Sequence, residues 1–124
     1  MNLDLNEIKE IFIEIASKSD VLDDYGLENI EQLVKELSID DIYSDYVYYF
    51  SGETERYIVD LVQNSGGEGD GARMYSTFSI KDIETSEYQY VQFSGRYSSW
   101  DSSSFTDLYF VSPEVVEVVE YNRI

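Results

Sequence analysis

The hydrophobic pattern of this chain changes its period near residue 45, and no other feature constrains the fold as strongly. Before that point, apolar residues recur three and four positions apart, which is the spacing of one face of an α-helix. After it, aromatic and β-branched residues gather in short runs that are typical of β-strands. Helices followed by strands predict an α+β fold, with two N-terminal helices packed on an antiparallel β-sheet meander of about five to six strands.

Two helices are predicted in the first part of the chain. The first lies within Leu3–Ser19, where Asp4 and Glu7 have the spacing of an N-cap and its partner. The second covers Leu27–Leu37, and a short helical turn is predicted over Ile39–Ser44. The residues expected to face the core are Leu5, Ile8, Phe12, Ile15 and Ala16 in the first helix and Leu27, Ile30, Leu33, Val34 and Leu37 in the second.

The remainder of the chain predicts strands separated by turns. The predicted strands are Tyr46–Ser51, Tyr57–Gln63, Met74–Ile80, Tyr88–Phe93, Leu108–Val111 and Val115–Tyr121. Gly52–Arg56 and Asp82–Ser86 are connections, and a Ser-rich loop, Ser98–Thr106, carries the only tryptophan, Trp100. Because no linker interrupts the chain, residues 1–124 are interpreted as a single domain, with a helical part at 1–44 and a β-sheet part at 45–124.

Charge and missing residue types exclude several functions. Asp and Glu number 26 against 8 Lys and Arg, a net charge of −18 that repels nucleic acid and anionic membranes. The chain has no histidine and no cysteine, which removes Ser-His and Cys-His triads and cysteine-based zinc sites. Because it has no apolar run of membrane-spanning length and does not open on a charged and then apolar segment, neither a membrane span nor a secretory signal is expected. We therefore expect a cytoplasmic protein that is not an enzyme and uses no metal or cofactor.

The glycine-rich stretch Ser65–Gly71 has the composition of a ligand-binding loop but not the required context. A phosphate-binding loop needs Gly-Lys-Ser/Thr and a following helix, whereas Ala72, Arg73 and a strand follow here. Glu68 and Asp70 would repel phosphate, and their spacing does not match a calcium loop. The stretch is interpreted as a flexible connection between two antiparallel strands, whose acids add to the negative surface.

Acidic and aromatic side chains are the remaining candidates for function. Adjacent acids such as Asp23–Asp24 and Asp40–Asp41 can serve glycosidase chemistry, but in so acidic a chain adjacency is expected by chance. The twelve tyrosines suit either strand packing or a protein interface, and without a basic groove they do not indicate a nucleic-acid platform. Trp100 is the best apolar anchor for an interface.

The helices carry acids with few compensating lysines. Glu7, Glu10 and Glu14 follow one another along the first helix at steps of roughly 4.5–6 Å, from a rise of about 1.5 Å per residue. Phosphates on one DNA strand are spaced by about 3.4 Å, so the acidic spacing is of the same order but sparser. The predicted partner-binding residues are Glu7, Glu10, Glu14, Glu28, Glu31, Glu36, Glu68, Asp70, Trp100 and Asp101.

The second half of the chain resembles a family of small acidic proteins from phages and mobile elements. The similar segments are SGGEGDG (Ser65–Gly71), SGRYSSWDSSSFTD (Ser94–Asp107) and VSPEVVEVVEY (Val111–Tyr121). The resemblance implies a phage-like setting, in which such proteins include DNA-mimic inhibitors of CRISPR effectors or restriction enzymes. It implies no catalytic residues.

Three functional hypotheses follow. The leading one is a non-enzymatic anti-CRISPR or anti-restriction inhibitor, a monomer or weak dimer. It would mimic DNA on the basic nucleic-acid-binding surface of a host defence protein, such as a Cas9-type effector or a restriction nuclease. The alternatives are an immunity or antitoxin-like protein that neutralises a basic toxin, and a phage accessory or structural domain whose acidity serves only solubility. Genomic neighbours would separate the first two, and reversal of the helix acids would separate both from the third.

Overall fold

The structure is a computed structural model that describes residues 1–19, 31–66, 72–97 and 103–113. Two N-terminal helices and a six-stranded antiparallel sheet make up this part of the chain, so the predicted α+β class is confirmed. Within the described ranges, no helix combines the length and the apolar character needed to cross a membrane.

Helix α1 covers Leu5–Ser17 and begins where the sequence predicts. The Glu7 backbone N–H donates to Asp4 Oδ1 at 2.8 Å, and the Asp4 backbone N–H donates to Glu7 Oε1 at 3.2 Å. This reciprocal capping box satisfies two N–H groups that the first helical turn would otherwise leave unpaired. Four of the five predicted core residues are buried, and Leu5 is half-buried.

Helix α2 covers Glu31–Ser38. The predicted helix over Leu27–Leu37 is therefore confirmed from Glu31 onward, and its first four residues lie outside the described part. Leu33 and Leu37 are buried as expected, but the prediction for Val34 is wrong, since its side chain is 39% exposed. The helix ends at Ser38, and two residues further on Asp40 has a φ of 52°, a left-handed conformation that cannot continue a right-handed helix.

The sheet is a meander with one returning edge strand. Its order is β1-β6-β5-β4-β3-β2, and every neighbouring pair is antiparallel. Strands β2 to β6 follow one another along the chain, whereas β1 pairs with β6 at the opposite edge from β2. The bounds are Ile42–Tyr43 (β1), Gly52–Glu53 (β2), Tyr57–Gly66 (β3), Arg73–Asp82 (β4), Tyr88–Arg96 (β5) and Ser104–Val111 (β6).

Two predicted elements before β2 are wrong. Tyr46–Ser51 is not a strand, because Ser44–Tyr49 forms a 3₁₀ helix, and Ile39–Ser44 contains β1 rather than a helical turn. Tyr46, Val47 and Phe50 are buried, a spacing that suits a helical segment and not the alternation of a strand. The segment links the two edge strands of the sheet and buries Tyr46 and Phe50, whereas Tyr48 stays exposed. Tertiary packing therefore overrides the strand propensity of these residues.

The long strands agree with the predictions, with shifted ends. Strands β3, β4 and β5 contain the predicted runs, and residues 83–87 connect β4 to β5. The predicted Leu108–Val111 strand begins earlier, at Ser104, so the end of the Ser-rich loop belongs to β6. Because β3 and β4 pair antiparallel up to Gly66 and Met74, the glycine-rich stretch does connect two strands. The predicted strand Val115–Tyr121 lies outside the described residues.

The two faces of the sheet have different surroundings. On the inner face, side chains of the long strands pack with α1, α2 and the 3₁₀ helix in one hydrophobic core. Phe12 of α1 lies at the centre, stacked on Phe50 with ring centroids 4.8 Å apart and 5.2 Å from the ring of Phe78. The outer face carries the alternate residues of each strand, as the period of two requires.

Candidate partner-binding surface

Helix α1 presents the first group of predicted partner-binding residues. Glu7, Glu10 and Glu14 are all exposed. Glu7 also belongs to the capping box, and Glu14 lies 3.9 Å from Lys18 in a loose ion pair of two exposed side chains. Glu10 has no ion pair within the described ranges. The three glutamates are therefore accessible to a partner. The exposed ion pair between Glu14 and Lys18 contributes little to stability.

Helix α2 contributes two predicted residues with different surroundings. Glu31 is exposed, whereas Glu36 is half-buried. One carboxylate oxygen of Glu36 accepts a hydrogen bond from the Tyr43 backbone N–H at 3.1 Å, and the other accepts from Gln32 Nε2 at 3.3 Å. Glu36 therefore joins α2 to the first strand of the sheet, a structural role that sequence reasoning did not predict.

The few cations beside these acids are partly neutralised. Lys9 is largely buried and donates to Asp40 Oδ1 at 2.7 Å, which ties α1 to the end of α2. Residues 1–19 and 31–41 together hold eight acids against three lysines. Because Lys9 is paired and screened from solvent, the potential outside this layer is dominated by carboxylates. We call residues 1–19 and 31–41 the helical layer.

The other predicted partner-binding residues lie outside the described part of the chain. They are Glu28, Glu68, Asp70, Trp100 and Asp101. Five of the ten predicted residues can therefore be placed, and all five belong to the two helices.

A buried carboxylate at the end of β4 was not singled out from the sequence. Asp82 is 1% exposed and accepts from the backbone N–H of Glu84 at 2.9 Å and from Arg56 Nη2 at 3.1 Å. Burial alone would raise the pKa of Asp82, but the hydrogen bonds from Arg56, Glu84 and Thr85 outweigh it and leave this pKa below its ordinary value. The same pairing raises the pKa of Arg56. Asp82 fastens the β4–β5 turn to the start of β3, which is a structural task.

The outer face of the sheet holds a groove of about 660 Å³ where the long strands meet the end of β6. Its described lining is uncharged: Val62, Gln63, Thr77, Tyr90, Gln92, Val111, Ser112 and Pro113. Tyr109 Oη donates to Gln92 Oε1 at 2.7 Å, and Gln92 Nε2 donates to Thr77 Oγ1 at 2.8 Å. These bonds cross three strands, so they stiffen the sheet and leave the groove polar but neutral.

Within the described ranges, no three Asp or Glu side chains come together in a way that could hold a metal ion. Comparison with protein-family models, with curated proteins and with solved structures finds no match for this chain. The resemblance to small acidic phage proteins therefore stays a prediction. What can be argued about function rests on the placement of charge in this structure.

Proposed function

We propose that this protein is a non-enzymatic inhibitor that binds the basic nucleic-acid-binding surface of a host defence protein. The partner would be a Cas9-type CRISPR effector or a restriction nuclease, and binding would deny DNA access to its groove. The observation that supports this proposal is the charge of the helical layer. It has four exposed glutamates and two exposed lysines, and its third lysine, Lys9, is paired with Asp40.

The acids of α1 act as a row of fixed negative charges. Glu7, Glu10 and Glu14 project from a helix that is capped at its start and buried along its opposite side. A rigid scaffold lowers the entropy that is lost when charges are held in place, so such a row competes better than charges on a flexible segment. Lysines and arginines that neutralise DNA phosphates would meet carboxylates instead, and the attraction would weaken as salt is added.

The test compares charge reversal on two surfaces. Glu10→Lys with Glu14→Lys changes α1, and Asp60→Lys with Asp107→Lys makes the same change in net charge on the sheet. Glu7 is left intact because its side chain caps the helix. Binding of each variant to a Cas9-type effector and to a restriction nuclease is measured by calorimetry at 50 mM salt, together with inhibition of DNA cleavage.

We expect the wild-type protein to bind and inhibit. The α1 pair should weaken binding at least about tenfold, as charged contacts at an interface commonly do, whereas the sheet pair should weaken it less than about threefold. Equal losses in the two pairs would show that only net charge matters and would refute the assignment to α1. If the wild-type protein neither binds nor inhibits any such nuclease, the proposal fails.

A basic toxin nuclease is included in the same panel. Binding to the toxin alone would replace the proposed function with that of an immunity or antitoxin-like protein, because both functions use an acidic face. If the variant with Glu10→Lys and Glu14→Lys binds as tightly as the wild-type protein, the partner binds another surface.

A further inference from the structure

The second half of β3 is an open edge of the sheet. β2 pairs only with Ile58 and Val59, and the Leu61 backbone N–H donates to Ser51 Oγ at 3.0 Å. Beyond that point, β3 has β4 as its only neighbour among the described strands. All five residues of Val62–Gly66 are exposed, rather than every second one, so both faces of the strand are accessible here. We call Val62–Gly66 the open edge of β3.

The register with β4 shows where the backbone groups of the open edge point. In an antiparallel pair, residues two apart on one strand direct their N–H and C=O groups to the same side. Leu61 lies opposite Phe78 and directs its N–H away from β4, toward Ser51. Asn64 lies opposite Ser76, two residues before Phe78, so its N–H and C=O groups also point away from β4. Outside the strand pairing itself, no hydrogen bond from the described residues reaches these two groups.

The open edge lacks most of the devices by which sheet edges avoid pairing with another chain. Those devices include charged side chains, above all lysine, as well as proline and bulges. The open edge reads VQNSG and is uncharged, although 27% of the chain consists of charged residues. A bulge is present at Val62, but the pairing with β4 is regular again from Gln63 to Gly66. These residues are therefore a template for one further strand.

The surroundings of the open edge indicate the chemistry of that strand. On the outer face, Val62 and Gln63 line the uncharged groove of about 660 Å³. On the inner face, Asn64 Nδ2 donates to Tyr48 Oη at 2.7 Å, and Tyr48 is 57% exposed. An added strand directs alternate side chains to these two faces. Apolar side chains suit the groove, and lysine or arginine suits the exposed tyrosine ring.

We propose that the open edge of β3 binds an extended basic segment of a partner protein, which adds one strand to the sheet. The net charge of −18 attracts such a segment, whereas it repels a second copy of this chain. Backbone hydrogen bonds give the affinity, and the alternation of apolar and basic side chains gives the specificity. This surface uses no residue of α1 and does not require the partner to be a nuclease, so it is independent of the proposed inhibitor function.

The probe is a capped peptide of about seven residues in which lysine and valine alternate, long enough to span the open edge at about 3.3 Å per residue. It is titrated into the full chain at about 50 mM salt, where attraction between charges is weakly screened, while two-dimensional ¹H–¹⁵N NMR follows the backbone amides. We expect the signals of Val62–Gly66 to shift and saturate. At saturation, the Asn64 amide should exchange with solvent at least about tenfold more slowly. A peptide with glutamate in place of lysine should not bind, because its charge is repelled.

Asn64→Pro and Asn64→Ala form a matched pair of variants. Both remove the side-chain bonds to Tyr48 and Ser76, but only proline also removes the N–H that faces the added strand. We expect Asn64→Pro to raise the Kd of the lysine–valine peptide at least about fivefold relative to Asn64→Ala, the effect of losing about one hydrogen bond. If Asn64→Pro does not fold, amide exchange in the wild-type protein still decides.

Three results would overturn the site. Equal Kd values for the two Asn64 variants would show that no strand is added at this edge. Peptide-induced shifts confined to α1 would show that the peptide responds only to the row of glutamates. Protection of the Asn64 amide without peptide would show that the edge is already covered, by a second copy if protection rises with protein concentration. No nuclease enters these measurements, so this site and the inhibitor function can fail separately.

Discussion

The two faces of the sheet have opposite chemistry, although they alternate along the same strands. The inner face is a cluster of phenylalanines from α1, the 3₁₀ helix, β4 and β5, with ring centroids 4.8–6.1 Å apart for Phe12, Phe50, Phe78 and Phe93. The outer face presents hydroxyls, amides, tyrosines and all three cations of the strands, Arg73, Lys81 and Arg96. We infer from this difference that the stability of the fold depends mainly on the inner face and that binding uses the exposed surfaces.

The first prediction compares adjacent residues of β4 on opposite faces. Phe78→Ala should lower the free energy of unfolding by about 3–5 kcal/mol, because the ring is fully buried against Phe12 and its loss leaves a cavity. Thr77→Ala, on the outer face, should cost no more than about 1.5 kcal/mol through its bond to Gln92. Urea unfolding measures both values. Similar losses in the two variants would contradict the division between faces.

The second prediction concerns the backbone contact between β5 and β6. A methyl group on Gly95 would clash with the carbonyl oxygen of Ser104, next to the irregularity between Ser94 and Gly95 in the β5–β6 register. Gly95→Ala should therefore destabilise the protein by about 1–3 kcal/mol, the usual effect of overpacking. Thr106→Ala on the exposed side of β6 serves as the control and should stay within about 0.5 kcal/mol of wild type. A Gly95 variant as stable as this control would show that β6 can move away.

The third prediction uses the one buried charge on the core side of the long strands, Asp82. Because its pKa is lowered in the folded state, the stability that it contributes is complete above the unfolded pKa of about 3.9 and is lost as the pH falls through the lower folded pKa. Asp82→Asn should lower Tm by a few degrees at pH 7, and the difference from wild type should shrink below about pH 4.

Calorimetry of both proteins between pH 7 and pH 3 measures this difference directly. Taking the difference removes the general effect of protonating the other carboxylates, which relieves repulsion in so acidic a chain. A difference that stays constant across the range would show that the charge of Asp82 contributes nothing to stability.

The smallest expected effect lies on the outer face. Gln92→Ala breaks the bonds to Thr77 and Tyr109 and should cost about 1 kcal/mol. Gln63→Ala removes a nearby exposed amide that forms no side-chain hydrogen bond within the described ranges, and it should be close to neutral. If the Gln92 variant were as destabilised as the Phe78 variant, the outer face would contribute to stability far more than we infer.

Much of the fold could be predicted from local pattern. The capping pair Asp4 and Glu7 and the core side of α1 follow from helical spacing, and the three long strands follow from runs of aromatic and β-branched residues. The segment around Tyr46 could not be predicted in this way. Its aromatic and β-branched residues favour a strand, and only the need to link opposite sheet edges across a packed core makes it helical.

The candidate sites could also be predicted only in part from local sequence pattern. Helical spacing predicts that Glu7, Glu10 and Glu14 are exposed together, but not that Glu36 holds the start of the sheet or that Lys9 is turned toward Asp40. The strand that contains Val62 and Gln63 is predicted locally, but only the strand order shows that its far side is an open edge.

The sequence by itself determined the division into helices and strands, the excess of negative charge and the exclusion of histidine and cysteine chemistry. These properties depend on residue identity and on contacts between positions close in the chain. Tertiary structure alone decided the strand order, the return of β1 to β6, the burial of Asp82 and the open edge of β3. The physical reason is that strand register joins residues far apart in sequence, and only packing of the whole chain selects one register.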